Sequence, residues 1–248
     1  MAVNLIIPMA GRGSRFSKAG VSVPKPLVEL AGRPFFWWAT ESVRRSTAVA
    51  EMVFVVLREH VAAFQIDARV LNLYPSARII AIDEVTSGAA ETGVIGARSI
   101  VNDLPVAIND CDHAFNAPFL DEAVAALARG AAGALVGFRA SEPCYSYVRM
   151  DEGGRVAGTV EKVVASPFAI AGCYLFRDAE TYCRLFDAYR LQCPYDELFI
   201  SGMFNALIAA GDTVDFWELP IHLSFGTPDE LDKVRARDPL AALGWAER

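Results

Sequence analysis

Three cations stand close together near the start of the chain. Arg12 and Arg15 belong to the run Ala10-Gly11-Arg12-Gly13-Ser14-Arg15-Phe16, and Lys25 follows ten residues later in Pro24-Lys25-Pro26-Leu27. Glycines in such a loop let backbone N–H groups approach a phosphate closely. Arg12, Arg15 and Lys25 together would neutralise a triphosphate and the charge that develops as pyrophosphate leaves. The prolines flanking Lys25 restrict the backbone and remove two amide donors, which predicts a stiffened, extended segment presenting the ammonium reproducibly. Two commoner phosphate-binding loops do not fit, because the dinucleotide fingerprint needs a glycine where Phe16 stands and the P-loop needs Gly-Lys-Ser/Thr. Farther along, Asn109-Asp110-Cys111-Asp112-His113 carries a D-x-D pair suited to Mg²⁺, which favours carboxylate oxygens and bridges them to phosphate. Asp112 is the expected ligand, with Asp110 either supporting it or taking its place. His113 reads as a structural hydrogen-bonding group.

These residues fall at the ends of predicted elements. Val3 to Pro8 reads as a buried strand running into the glycine loop, and Phe35 to Val43 as a helix after Pro34. Strands follow at Met52 to Leu57, Ala77 to Ile82 and Leu104 to Asn109. Between the last two, Ser87 and Gly88 mark the start of a helix over Ala89 to Ile100, and Ala117 to Arg129 is helical beyond the D-x-D pair. The alternation predicts an α/β fold in which a mixed, mostly parallel sheet is flanked by helices, with ligands at the carboxyl ends of the strands. After residue 130 shorter strands are expected at Ala134 to Phe138, Tyr145 to Met150, Arg155 to Val160 and Ile170 to Phe176, with a hairpin turn at Asp151 to Gly154. Helices at Ala179 to Tyr189 and Glu197 to Ala210, a strand at Thr213 to Leu219 and a helix from Pro228 complete the reading. No linker or repeat divides the 248 residues, so one compact domain is expected, with a nucleotide-facing half over about 1–130 and an acceptor-facing half over about 131–248.

Composition narrows the partners. With 53% hydrophobic and 21% charged residues the chain has material for a large core, and its net charge of −7 with no basic stripe argues against nucleic acid. The apolar stretches are too short or too interrupted to span a bilayer. No basic region precedes the N-terminal apolar run, so no signal peptide is expected. Five widely spaced cysteines without a CxxC pair predict a reducing, cytoplasmic setting. A homo-oligomer is compatible with all of this.

The run Ile7 to Phe16, then Pro24-Lys25-Pro26-Leu27-Val28 and Gly32-Arg33-Pro34, resembles the signature of the nucleotidyltransferases that activate sugar phosphates and related phosphates. Later landmarks fall in the same order: Thr86-Ser87-Gly88-Ala89, Asn109 to His113, Glu161-Lys162, Gly172-Cys173-Tyr174 and Gly226-Thr227-Pro228. The resemblance implies a GT-A-like, Rossmann-related fold and is nearest to cytidylyltransferase-like members that act in surface-glycan decoration. It implies that Arg15, Lys25 and Lys162 are catalytic. Ala10, Gly11, Arg12, Gly13, Ser14, Ser87, Gly88 and Asp110 would bind the nucleotide, the alternative for Ser87 being a plain helix cap. Glu161, Gly172, Tyr174 and Glu197 would bind the acceptor, and Asp112 would hold Mg²⁺. Glu197, Ser201 and Asn205 recur at helical spacing and either line the acceptor pocket or form a solvated stripe. Many members carry a second metal-binding Asp where this chain has Ser224, which leaves two-metal geometry open.

The expected reaction transfers an NMP from CTP or UTP to a sugar 1-phosphate or another small phosphorylated acceptor, releasing pyrophosphate. An acceptor phosphate is already anionic, which suits a chain with three histidines and no triad motif. The alternatives are a catalytically impaired nucleotide or sugar-phosphate sensor, for which Ser224 is the support, and a GT-A glycosyltransferase, which would share the D-x-D pair. A nicotinamide-dependent dehydrogenase is disfavoured by the missing third glycine.

Overall fold

The computed structural model describes residues 1–245. The chain opens with β1 (Ala2–Met9) and α1 (Ser14–Lys18), a two-residue ribbon of β2 (Glu29–Leu30) and β3 (Arg33–Pro34), then α2 (Phe35–Arg44), β4 (Ala48–Leu57), α3 (Arg58–Phe64), α4 (Ile66–Leu73), β5 (Arg78–Ile82) and α5 (Ala89–Ala97). It continues through β6 (Val106–Asn109), β7 (His113–Asn116), α6 (Leu120–Ala128), β8 (Gly133–Arg139), β9 (Ser146–Met150), β10 (Val156–Glu161) and β11 (Phe168–Phe176). The last elements are α7 (Ala179–Tyr189), α8 (Ile200–Ala209), β12 (Val214–Glu218), β13 (Ile221–Ser224), α9 (Pro228–Arg235) and α10 (Pro239–Leu243).

Nine of these strands build one sheet, in the order β10-β9-β11-β6-β1-β4-β5, with β8 branching from β11 and β12 pairing with β8. Strands β1, β4, β5, β6, β8, β9 and β12 point one way, and only β10 and β11 run against them. The sheet is therefore mixed and mostly parallel, as the alternating pattern predicts. Its central strands are near-continuous apolar runs because both faces are covered. Along β1, Val3, Leu5, Ile7 and Met9 enter one core with α2, α4 and α6, while Ile6 enters the opposite core with α5, α7 and α8. A third cluster gathers Phe16, Phe35, Trp38 and Phe225 beneath the glycine loop. Together these layers make a single α/β domain.

The structure corrects several boundaries. The helices α3 and α4 and the strands β7 and β13 were not expected. β7 is only four residues long and pairs antiparallel with β13, His113 opposite Ser224, in a ladder between residues more than a hundred positions apart, which local periodicity does not register. Helix α8 begins at Ile200, so Glu197 lies in the preceding loop and does not share a helical face with Ser201 and Asn205. Lys25–Leu27 forms one 3₁₀ turn and is not extended: Leu27 N–H donates to Pro24 O at 2.8 Å and Val28 N–H to Lys25 O at 3.1 Å. Proline at the first positions of a helical turn loses no needed donor, so the flanking prolines fit this geometry. No helix among the described residues is long and apolar enough to cross a membrane.

Phe35 anchors the glycine loop to the rest of the fold. Its buried ring meets Phe16 edge-on at 5.6 Å and Phe225 at 4.5 Å. Replacing it with alanine should cost about 3–5 kcal/mol in urea unfolding. A variant as stable as the wild type would show that the loop is anchored elsewhere.

Candidate active site

At the carboxyl ends of β1 and β6 the chain forms a cleft of about 320 Å³. Arg15, Lys25, Asp110, Asp112, Glu161, Lys162, Gly172, Tyr174 and Glu197 all line it, although they come from stretches far apart in sequence. A larger hollow of about 580 Å³ lies at the opposite end of the sheet beside Met1, Leu104 and Arg177, and it gathers no comparable set of chemical groups.

Two features of the turn at Lys25 fix its position. Gly13 has φ 59°, the left-handed region that favours glycine, and a Cβ there would stand 2.9 Å from the Cβ of Lys25. The stem of Lys25 therefore passes against the glycine loop, and its Nζ donates to Asp112 Oδ2 at 2.9 Å. Burial opposes the charge on each group but is outweighed: Asp112 holds the Lys25 ammonium above its ordinary pKa, and Lys25 holds the Asp112 carboxyl below the usual carboxylate range. Gly226, after β13, lies against the same carboxylate, since a Cβ on it would stand 2.5 Å from Asp112 Oδ2.

Asp110 is in the opposite electrostatic condition. Burial, and then the charge of Asp112, push its carboxyl up to about 7. It sits where the pairing register of β11 shifts around Gly172, whose φ is 71° and whose carbonyl accepts from Asp110 N–H at 2.9 Å. A Cβ at Gly172 would be 2.9 Å from Asp110 Oδ2 and 3.3 Å from His113 Nε2. The glycine's first role is thus to seat Asp110 and His113. His113 is buried, with its Nδ1 3.3 Å from His222 Nε2 and no hydrogen-bond partner at Nε2. Burial pushes its pKa down to about 4, which favours the neutral ring near pH 7.

Asp110 and Asp112 offer hard oxygen donors. The intervening Cys111 thiol is pushed up to about 12 by burial and is no competitor for a cation. Among the described residues no group of three or more His, Cys, Asp or Glu gathers around a metal position. An ion here would complete its shell with water and substrate phosphates, which is how Mg²⁺ is usually held.

On the other wall, Glu161 ends β10, and its Oε1 accepts from Ser146 and Ser201. Ser201 is therefore a buried support for Glu161, and Asn205 binds the backbone of Thr159, so neither lines an acceptor pocket nor forms a solvated stripe. Lys162 has φ 55°, uncommon outside glycine, and its Nζ lies 5.0 Å from the Phe199 ring centroid. No Glu161–Lys162 ion pair forms among the described residues. Tyr174 is buried in the floor of the cleft.

The remaining candidates stand outside the lining. Ala10 is buried at the end of β1, while Gly11, Arg12 and Ser14 are exposed beside Arg15 and Gly13 is half-buried. Ser87 is exposed and does not cap α5; its N–H donates to Glu91 Oε2 at 2.7 Å and its carbonyl accepts from Leu198 N–H at 2.9 Å. Gly88 occupies the cap position, and Ala89 is the residue of this loop that reaches the cleft.

Sequence reasoning missed Tyr145, Phe199 and Glu230, which also line the cleft. Glu230 accepts from Tyr145 Oη at 2.6 Å, Ser224 Oγ at 2.9 Å and Thr227 Oγ1 at 3.1 Å. Its signal was present in Thr227-Pro228-Asp229-Glu230, a capping box whose Thr227 Oγ1 accepts from Glu230 N–H at 3.2 Å.

A model of the nucleotidyl transferase family matches residues 4–219. The chain belongs to this family. It is a nucleotidyltransferase, and the expectations of its class and fold hold. A search among curated proteins gave no match. Three solved structures share the fold. A nucleoside-diphosphate-sugar pyrophosphorylase from Vibrio cholerae RC9 has 24% identity and TM-score 0.80, covering 94% of this chain and all (100%) of its own. A protein from Bacillus anthracis described as a glucose-1-phosphate thymidylyltransferase has 16% identity and TM-score 0.76, covering 100% of this chain and 98% of its own. The inositol-1-phosphate CTP transferase of T. maritima has 15% identity and TM-score 0.75, covering 99% of this chain and 98% of its own.

The seat that Gly172 provides is open to test. Gly172→Ala should lose about 1–3 kcal/mol of stability from left-handed strain and displace the Asp110 carboxylate. Urea unfolding with pyrophosphate-release kinetics checks both, and a variant unchanged in each would remove the glycine from the site.

Proposed function

We propose that this nucleotidyltransferase moves an NMP from CTP or UTP to a sugar 1-phosphate or a similar small phosphorylated acceptor. The observation that carries this reading is the convergence on one cleft of Arg15, Lys25 and Lys162 with Asp110 and Asp112. Residues 1–130 supply the nucleotide side, with the backbone from Ala10 to Ser14 facing the phosphates and Ser87 and Gly88 near the base and ribose. Residues 131–248 supply the acceptor side through Glu161, Lys162, Gly172, Tyr174 and Glu197. The names of the relatives from B. anthracis and T. maritima, which specify sugar or inositol 1-phosphate acceptors, favour the same class.

In the proposed reaction an acceptor phosphate oxygen attacks the α-phosphorus in line. The bond from that phosphorus to the bridging oxygen breaks, and pyrophosphate leaves with the electron pair. Lys162 holds the acceptor phosphate, while Arg15 and Lys25 stabilise the charge gathering on the departing pyrophosphate. Asp112, with Asp110 beside it, would hold Mg²⁺, which when bound supplies charge neutralisation across the phosphates. No protein nucleophile is needed, in keeping with the buried thiols of Cys111 and Cys173, whose ionisation burial disfavours, and with His113 and His222, whose protonation burial disfavours.

Pyrophosphate release should appear with one pyrimidine triphosphate, Mg²⁺ and one member of a panel of hexose 1-phosphates, inositol 1-phosphate and phosphocholine. Lys25→Ala should lower that turnover at least a hundredfold, an order of magnitude typical for removing one charge-stabilising group, while the protein stays folded. Full activity in this variant would sink the assignment. A second expectation concerns pH. An Asp110 carboxyl with its pKa raised to about 7 is partly protonated at neutrality, so a cation must displace that proton. Affinity for Mn²⁺ should fall as pH drops below 7, and calorimetry in buffers of different ionisation enthalpy should detect proton release that Asp110→Asn abolishes. Binding independent of pH between 6 and 8 would exclude Asp110 from the cation's surroundings.

A further inference from the structure

The Lys25–Asp112 pair joins the group assigned to the leaving pyrophosphate to the group assigned to the metal. Nothing else in the proposed chemistry requires those two to touch. The side chains are 29% and 23% exposed, so the pair is neither sealed in the core nor freely solvated. Its two ends differ in mobility. The Lys25 backbone is held by Pro24 and Pro26, by the 3₁₀ turn and by the close passage of its Cβ past Gly13. Beyond the Cβ, however, the stem is unbranched and can carry the ammonium through several ångströms. Asp112 is held more tightly, because its carbonyl accepts from Phe225 N–H at 3.0 Å and Gly226 covers one side of its carboxylate. Arg15 opens onto the same cleft, so a polyphosphate bound there would offer the ammonium a second anionic partner.

We propose that Lys25 and the divalent cation exchange places at Asp112: in the free protein the ammonium occupies the carboxylate, and a bound triphosphate draws it away so that the metal can take its position. An ammonium and a divalent cation cannot share one carboxylate oxygen without strong repulsion. The metal therefore binds weakly until the nucleotide arrives, and Lys25 reaches the phosphates only when the metal replaces it. The device couples the two charges that the reaction needs and keeps Asp112 from being left unpaired in a half-buried cleft. The inference rests on the proposed reading of Asp112 as the metal ligand.

The test is Mn²⁺ binding to the nucleotide-free protein, followed by the electron paramagnetic resonance signal of the free ion. Lys25→Met keeps the stem without the charge, and Lys25→Gln keeps a polar tip. Both should bind Mn²⁺ about fivefold more tightly than wild type, the upper scale of a partly exposed ion pair, even though turnover collapses. Asp112→Asn should lose the site, and Arg15→Met should stay within about twofold of wild type. If neither Lys25 variant binds more tightly while Asp112→Asn loses binding, the exchange is wrong and the metal assignment stands. If Arg15→Met gains as much as Lys25→Met, the gain reflects the cleft's summed charge, and the exchange is equally overturned. Wild-type binding in Asp112→Asn would overturn the metal assignment itself.

Discussion

The ion pair between Lys25 and Asp112 is the point through which the rest of the site is assembled. Lys25 reaches it from a turn braced by two prolines and by the glycine loop, and Asp112 from the short connection between β6 and β7. The ladder of β7 with β13 places Ser224 opposite His113, so that Phe225 and Gly226 continue directly over Asp112. Removing either charge from a half-buried pair costs more than the pair contributes, because the remaining ion keeps its desolvation penalty. Glycine loop, D-x-D connection and the loop before α9 are therefore bound to one another by electrostatics as well as by the Phe16, Phe35 and Phe225 cluster beneath them.

A cleft proposed to take a triphosphate in a protein of net charge −7 needs its local acids quieted. Five carboxylates line it against three cations, Arg15, Lys25 and Lys162. Four of the five are compensated. Asp112 is paired with Lys25, and Asp110 has a carboxyl raised to about 7 by burial and by Asp112. Glu161 accepts from two serines, and Glu230 from Tyr145, Ser224 and Thr227. Hydrogen bonds to a carboxylate spread its charge over neighbouring dipoles, so the field met by an incoming phosphate owes more to the cations than a count of charges implies. Glu197, exposed at the rim, is the remaining acid.

What could be read from the chain follows the range of the interactions involved. The apolar run of β1, the helical face of Phe35 to Val43 and the hairpin at Asp151 are local patterns and were legible. So were Arg15, Lys25, Asp110, Asp112 and Lys162, because they cluster in short motifs. The pairing of β7 with β13 was not legible, since it joins four-residue segments with no periodicity of their own. The turn at Lys25 misled for a related reason: a flanking proline fixes its own φ but not the conformation of the residues after it, so Pro24 keeps an extended ψ of 144° while hydrogen bonds to the Pro24 and Lys25 carbonyls close Lys25–Leu27 into a turn. Ser201 and Asn205 were misplaced because helical spacing assigns residues to a common face without saying what that face meets, and here it meets β10.

Gly172 shows why the two halves of the sequence do not act as separate domains. Toward Phe176, β11 lies between β6 and β8, and toward Phe168 it lies between β9 and β8, with its register shifting between Ile170 and Tyr174. The sheet changes partners at that joint, and a left-handed glycine makes the change possible. Its carbonyl accepts from Asp110 N–H, and its missing side chain is the space that Asp110 and His113 occupy. One backbone irregularity in the second half of the chain thus sets the position of a carboxylate in the first half. A shift of β11 could not leave Asp110 in place, so on the proposed reading the acceptor side and the cation side of the cleft are mechanically linked through a single residue.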